Sequence, residues 1–458
     1  MNDIVYVDYD GDYNLDEDDD WDEYANLDED KYDCLDDDDE DEEDEEDEED
    51  DLEAEDEDDK MLFKNKFRPF KHIMGPFKRQ IKDDNSGIGH HRALLTPGHH
   101  HLIRRQTDIA GNNILKRTRS IFSYSYSETF SLKSKLFHFS LLRILDLSHV
   151  ILQRFPPQIL CLVWLRYLEF FIEYLTDFEI PPEICRLQNL QTFIVDECEG
   201  EFCFLPTEIW ELTQLRHLKL SSFRLPNPPT VSADEQRYLE FSNIHTLSGL
   251  SHGCCTKEVI SGIRNVRKLR VVRENDDYES FQESSLFGNL VHLHHLETLS
   301  VTISSDLQAY EPMTIPSAKA FPATLKKLKL FRTGLRWEDL NVIGELPNLE
   351  VLKLISDAEG KKWYPVAGGF TRLKILIIQN SDLKYWKVTN DSFPVLERLV
   401  IRGCTKLEEI PIEFVETISL QLIELKDCMP QLEASATRIQ QEQVDIGNKP
   451  VDVRISKS

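Results

Sequence analysis

The chain has no run of roughly 18–20 continuous apolar residues, so no membrane-spanning helix is expected. Its N-terminus is acidic and shows no basic segment followed by an apolar run, so a secretory leader is not expected either. The nine cysteines are odd in number and include no C-x-x-C pair, which argues against a disulfide framework. A reducing compartment follows, with cytoplasmic localisation expected and the nucleus as the alternative. No G-x-x-x-x-G-K-[ST] phosphate loop occurs anywhere, and no cysteine stands in a pattern that pairs it with a histidine base. Neither enzymatic activity nor a bound cofactor is expected.

Charge is abundant but unevenly placed. Of 84 Asp and Glu, 37 lie in residues 1–60, beside only two Lys. The other 398 residues carry 47 acidic and 50 basic side chains, which leaves them close to neutral. The run Asp36–Asp51 contains nothing but Asp and Glu. Such a block repels itself and lacks the apolar surface to offset ordering, so 1–60 is expected to be a disordered acidic tail. Residues 61–119 reverse the sign, with 13 Lys and Arg against three acidic residues, and read as a basic flexible linker.

From about Ser120 a phrase of the form L-x-x-L-x-L recurs. It starts at Leu142, Leu165, Leu190, Leu215, Ile244, Val266, Leu296, Leu325, Leu349, Leu373, Leu396 and Leu420, at intervals of 22 to 30 residues. The Ile244 unit is the poorest, because Gly249 stands where its third apolar residue is due. Alternation in L-x-L makes a short strand with one face inward. Each unit buries four or five large side chains worth roughly 1.5–3 kcal/mol apiece, too little to fold alone, so units must stack. Phrases such as Phe155-Pro156-Pro157-Gln158-Ile159 and Leu205-Pro206-Thr207-Glu208-Ile209 end the extended segment and start a short helical or 3-10 turn on the convex side. The fold class is therefore α/β, a leucine-rich-repeat solenoid over 120–430 shaped as a horseshoe with a parallel concave sheet. Residues 431–458 read as a C-terminal tail.

The phrases LLRILDLSHVILQRFPPQI, IPPEICRLQNLQTFIV and LPTEIWELTQLRHLKL resemble the repeat region of plant nucleotide-binding leucine-rich-repeat disease-resistance proteins, in particular the solanaceous late blight resistance group. The resemblance covers roughly residues 85–430. It implies protein recognition in plant defence, with a pathogen-derived or host signalling protein as the partner. In that family the repeats sense such cues and restrain a nucleotide-binding module. No phosphate-loop residues exist here onto which nucleotide contacts could be carried, so the family's cofactor is not transferred.

Residues between the inward leucines point to the concave face. Outward residues Asp146, Tyr167, Glu169, Phe171 and Asp196 make the early units aromatic and acidic, whereas among His217, Lys219, Lys327, Lys329, Phe331, Lys353, Arg398 and Arg402 the Lys and Arg make later ones basic. Tyr167 and Phe171 are read as exposed anchors, and Lys327, Lys329, Arg398 and Arg402 as contacts for an acidic partner. Cys198, Cys404 and Cys428 occupy the repeat's Asn/Cys slot, with the side chain inside the turn. The cluster His90, His91, His99, His100 and His101 has no Cys or carboxylate to complete a shell, so no metal site is expected. The basic linker lies beside a far more negative tail, so nucleic acid is not an expected partner and membrane contact is at most peripheral; no small-molecule substrate is expected. A second reading takes the acidic tail as the working part, in a nuclear repeat protein that chaperones basic partners such as histones.

Overall fold

The computed structural model describes residues 92–95, 118–123, 136–174, 179–199, 203–232, 237–273, 285–303, 313–315, 317–356 and 358–457. The acidic segment, most of the basic segment and the five clustered histidines lie outside the described residues.

The strands are β1 (Arg92–Leu95), β2 (Ser120–Ser123), β3 (Ile144–Ile151), β4 (Tyr167–Tyr174), β5 (Thr192–Glu199), β6 (Cys203–Phe204), β7 (His217–Arg224), β8 (Thr230–Ser232), β9 (Arg237–Tyr238), β10 (Thr246–Ser251), β11 (Lys268–Arg273), β12 (Thr298–Ile303), β13 (Lys327–Phe331), β14 (Val351–Ile355), β15 (Lys362–Trp363), β16 (Ile375–Gln379), β17 (Tyr385–Trp386), β18 (Arg398–Arg402), β19 (Leu422–Lys426) and β20 (Asp452–Ser456). One sheet runs β1-β2-β3-β4-β5-β7-β10-β11-β12-β13-β14-β16-β18-β19-β20, with β6 beside β7. Parallel neighbours need a crossover of a dozen or more residues, which the remainder of each repeat supplies.

The inward leucines form one continuous column. Leu145, Leu168, Phe193, Leu218 and Leu247 stand in register across β3 to β10. Leu269, Leu299, Leu328, Leu352, Leu376, Leu399 and Ile423 continue it to β19. All are buried and belong to a single apolar core. The return turns follow the prolines: 3-10 helices Pro157–Cys161, Pro182–Arg186, Thr207–Glu211 and Ile412–Glu416 begin directly after Pro156, Pro181, Pro206 and Pro411.

Side chains also tie repeat to repeat. The residue just before the first inward apolar position is often Asn, and its amide donates to a carbonyl of the preceding repeat. Asn189 reaches Val163 O at 2.9 Å, Asn243 reaches Thr213 O at 2.9 Å, Asn265 reaches Ser242 O at 2.8 Å and Asn348 reaches Ala323 O at 2.8 Å. Later repeats add an aromatic stack, in which Trp363 lies 4.9 Å from Trp337 and 5.2 Å from Trp386, ring centre to ring centre.

Three details depart from the sequence reading. First, Gly249 does not weaken its unit. It is a bulge at φ +97°, the register skips from Ser248 to Leu250, and Leu250 fills the third apolar slot fully buried. Second, the strands begin at β1 and β2, so Arg92–Leu95 pairs in parallel within the stretch read as a linker. Third, residues 431–458 are not a tail. Helix Pro430–Asp445 buries Leu432, Ala436 and Ile439, spaced four and three apart on one face. Strand β20 then pairs in parallel with β19. Gln443 and Gln440 hold the turn between them: Val451 N donates to Gln443 Oε1 at 2.8 Å, and Gln440 Nε2 donates to Val451 O at 2.7 Å. This last unit lacks an L-x-x-L opening, which is why periodicity missed it.

Candidate protein-binding face

Two ladders of side chains cross the concave side of the sheet, one from each outward position between the inward apolar residues. The first runs Ile144, Tyr167, Thr192, His217, Thr246, Lys268, Thr298, Lys327, Val351, Ile375, Arg398 and Leu422. The second runs Asp146, Glu169, Ile194, Lys219, Ser248, Arg270, Ser300, Lys329, Lys353, Ile377, Val400 and Glu424 on the same strands. Neighbouring rungs are about 4.8 Å apart. Three zones result.

The zone on β3 to β5 is acidic. Glu169 stands beside Asp146 in register, and Asp196 lies two residues beyond Ile194, the β5 partner of Glu169. Tyr167 donates its hydroxyl to Glu169 Oε2. Burial, reinforced by the Asp146 charge, pushes the Glu169 carboxyl up to about 7; the Tyr167 hydrogen bond opposes the shift. Phe171 lies on this face, as its parity requires, but it is not an exposed anchor: only 4% of its surface is open. Its rung holds Ile151 on one side and Asp196 on the other.

The zone on β7 to β14 is basic. Its outward positions in the two ladders hold His217, Lys219, Lys268, Arg270, Lys327, Lys329 and Lys353 and no Asp or Glu. His217 accepts or donates at Nδ1 with Thr246 Oγ1 at 3.2 Å, and its ring packs edge-on to His245. Burial, with Lys219 next to it, pushes the His217 imidazole down to about 4, so it is neutral in ordinary buffers. Lys329 and Lys353 sit deeper than the sequence reading had them, at 8% and 3% exposure. Their neighbours on adjacent rungs are close enough to cover the aliphatic stems. Lys329 Nζ also lies 6.0 Å from the Phe331 ring centre. Lys268 and Arg270 were not singled out from sequence, although Val266-Arg267-Lys268-Leu269-Arg270-Val271 puts them at the same repeat positions as Lys327 and Lys329.

The zone on β16 to β19 is aliphatic, and its two arginines share one carboxylate. Ile375, Ile377, Val400 and Leu422 occupy most rungs. Arg398 and Arg402 do not present open charge to an acidic partner, since both donate to Glu424, at 3.1 Å and 3.0 Å. Burial opposes ionisation of Glu424, yet the hydrogen bonds and charges of Arg402 and Arg398 outweigh it and hold the carboxyl below the ordinary range. The triad joins residues 22 and 26 positions apart in sequence, so strand composition gave no sign of it.

The Cys slot behaves structurally where its side chains are described. Cys404 Sγ points to Arg402 O at 3.4 Å, and Cys428 Sγ to Lys426 O at 3.3 Å, each inside its turn. Burial pushes the Cys404 thiol up to about 12. Cys198's side chain lies outside the described residues. Among the described residues no group of His, Cys, Asp and Glu could hold a metal ion, and no helix is long and apolar enough to cross a membrane.

A family model described as a leucine-rich repeat region matches residues 117–446. Over 323 residues the chain is 32% identical to late blight resistance protein homolog R1B-16 of Solanum demissum, covering 70% of this chain and 24% of that protein. Homolog R1B-13 of the same plant is 30% identical over 335 residues, covering 71% of this chain and 27% of the relative. The chain thus spans about a quarter of the length of these curated relatives. Among solved structures, a leucine-rich-repeat protein of Leptospira interrogans aligns with TM-score 0.42 at 18% identity, over 74% of this chain and 91% of that one.

Proposed function

The chain belongs to the leucine-rich-repeat family, and from that premise we propose that it is a non-enzymatic recognition protein whose concave face binds another protein in plant defence. The observation that carries the reading is the division of that face into charge zones. A purely solvated sheet has no reason to keep every carboxylate off six consecutive strands, β7 to β14, while placing six Lys and Arg there. The names of the relatives, late blight resistance protein homologs, support a setting in host defence; the partner we propose is a pathogen-derived or host signalling protein, and the compartment the cytoplasm. The proposed contacts are Lys219, Lys268, Arg270 and Lys327, with His217 beside them and Tyr167 at the acidic edge; Lys329 and Lys353, at 8% and 3% exposure, add positive charge from beneath the surface.

Pulldown from infected and healthy plant tissue tests this, comparing the full chain with two variants. Reversal of Lys219, Lys268, Arg270 and Lys327 to Glu is expected to abolish capture of defined partners. Reversal of Arg264 and Lys326, which are exposed at the ends of the turns, is expected to leave it intact. Equal capture by the two variants would sink the reading.

The histone-chaperone reading has one observation in its favour, the uninterrupted Asp36–Asp51 run. It requires histone co-precipitation that disappears when residues 1–60 are deleted. The six concave cations would repel a histone, which favours the first reading.

A further inference from the structure

From β7 to β13 the cations of the concave face alternate with hydroxyls, and the pattern ends at β14, where Lys353 directly follows Lys329. Along the first ladder the rungs of β7, β10, β11, β12 and β13 read His217, Thr246, Lys268, Thr298, Lys327. Along the second they read Lys219, Ser248, Arg270, Ser300, Lys329. Both ladders therefore place a long nitrogen-bearing side chain on β7, β11 and β13 and a short hydroxyl on β10 and β12. Rungs that carry cations are two strand spacings apart, about 9.6 Å. Between them the rungs carry only short hydroxyl side chains, which leaves gaps in the row of cations.

That spacing selects a ligand geometry. An extended chain in the polyproline II conformation rises about 3.1 Å per residue with three residues per turn, so positions i, i+3 and i+6 share one face at about 9.3 Å intervals. In a β-strand, same-face residues recur about every 6.7 Å, which falls out of step with the rungs after one repeat. We propose, resting on the recognition reading above, that β7 to β13 bind an acidic polypeptide segment crossing the strands in an extended, threefold conformation. A carboxylate at every third residue would meet the basic rungs in turn. Ser248 and Ser300 would offer hydroxyls to the backbone between them.

The test uses the full chain and two labelled peptides of identical composition and charge. One is six repeats of Glu-Pro-Pro, which puts Glu on one face at the required interval; the other is six Glu followed by twelve Pro. Fluorescence anisotropy at low ionic strength is expected to show the repeating peptide binding about tenfold tighter, as three surface ion pairs of ordinary strength would give. The double variant Lys268→Thr, Arg270→Ser copies the neighbouring rungs and so suits the same sheet positions. It is expected to lose that preference while keeping the wild-type thermal melt. Conversely, Ser248→Lys with Ser300→Lys fills the gaps and is expected to bind both peptides equally. Equal binding of the two peptides by the unmodified chain overturns the spacing argument. So does tighter binding of an oligo-uridine RNA of equal charge, since that would make the face a generic polyanion site. Either result leaves the recognition reading to its own test, because partner capture in the charge-reversal pulldown does not depend on which peptide is preferred.

Discussion

Gly249→Ala is expected to destabilise the solenoid by about 2–5 kcal/mol. A Cβ added at this position would sit 2.0 Å from Leu220 O and 2.9 Å from both Leu220 C and Ser221 O, all of them backbone atoms of the neighbouring strand. They cannot rotate away as a side chain could. The residue also holds φ at +97°, a conformation that costs an L side chain on the order of 1–3 kcal/mol before any clash is counted. Relief by widening the β7–β10 separation would break ladder hydrogen bonds and unseat Leu250, which is fully buried. Because each repeat is stabilised only by its neighbours, the damage should split the array at that joint rather than lower all of it evenly. Urea unfolding followed by far-UV circular dichroism should show an earlier transition with a smaller slope, or two transitions. Limited proteolysis should cut between β7 and β10. Gly288→Ala is the control, since nothing lies within 4 Å of its added Cβ. A Gly249→Ala midpoint within about 0.5 kcal/mol of wild type, at unchanged slope, would refute the account.

Three further outcomes can be measured. Glu169 has its carboxyl pushed up to about 7, above an unfolded value near 4.3, so the folded state holds an extra proton between those values. Stability should therefore fall as pH rises from about 4.5 to 7 and level off above it. In Glu169→Gln, melts at pH 5 and pH 8 should lie closer together than in wild type, and an unchanged gap would count against the assignment. Trp363→Ala removes the centre of the ring stack formed with Trp337, Trp386, Phe370 and Phe393 and should cost about 3–5 kcal/mol, read from the shift in urea midpoint. Iodoacetamide at pH 8 should label the exposed Cys161 in the native chain and spare the buried Cys404 until urea is added, as mass spectrometry of tryptic peptides would show.

Much of this molecule is legible in one dimension. Alternation within L-x-x-L-x-L decides which side chains turn inward, and Leu145, Leu218, Leu328 and Leu399 are all fully buried as that period requires. Proline placement decides where 3-10 turns begin, and the third position after the last inward apolar residue of the strand, Ile401 or Leu425, decides that Cys404 and Cys428 enter their turns. These are local rules, set by backbone geometry within a few residues. What tertiary structure alone decided is lateral. Glu424 pairs with both Arg398 and Arg402 across a strand boundary, Phe171 is buried on its rung, and a positive φ turns Gly249 from a defect into a required bulge. The same holds for β20, which exists as a strand because β19 offers it an edge. Each depends on contacts between segments twenty or more residues apart and beyond the six-residue phrase, where the repeat no longer fixes which residues meet.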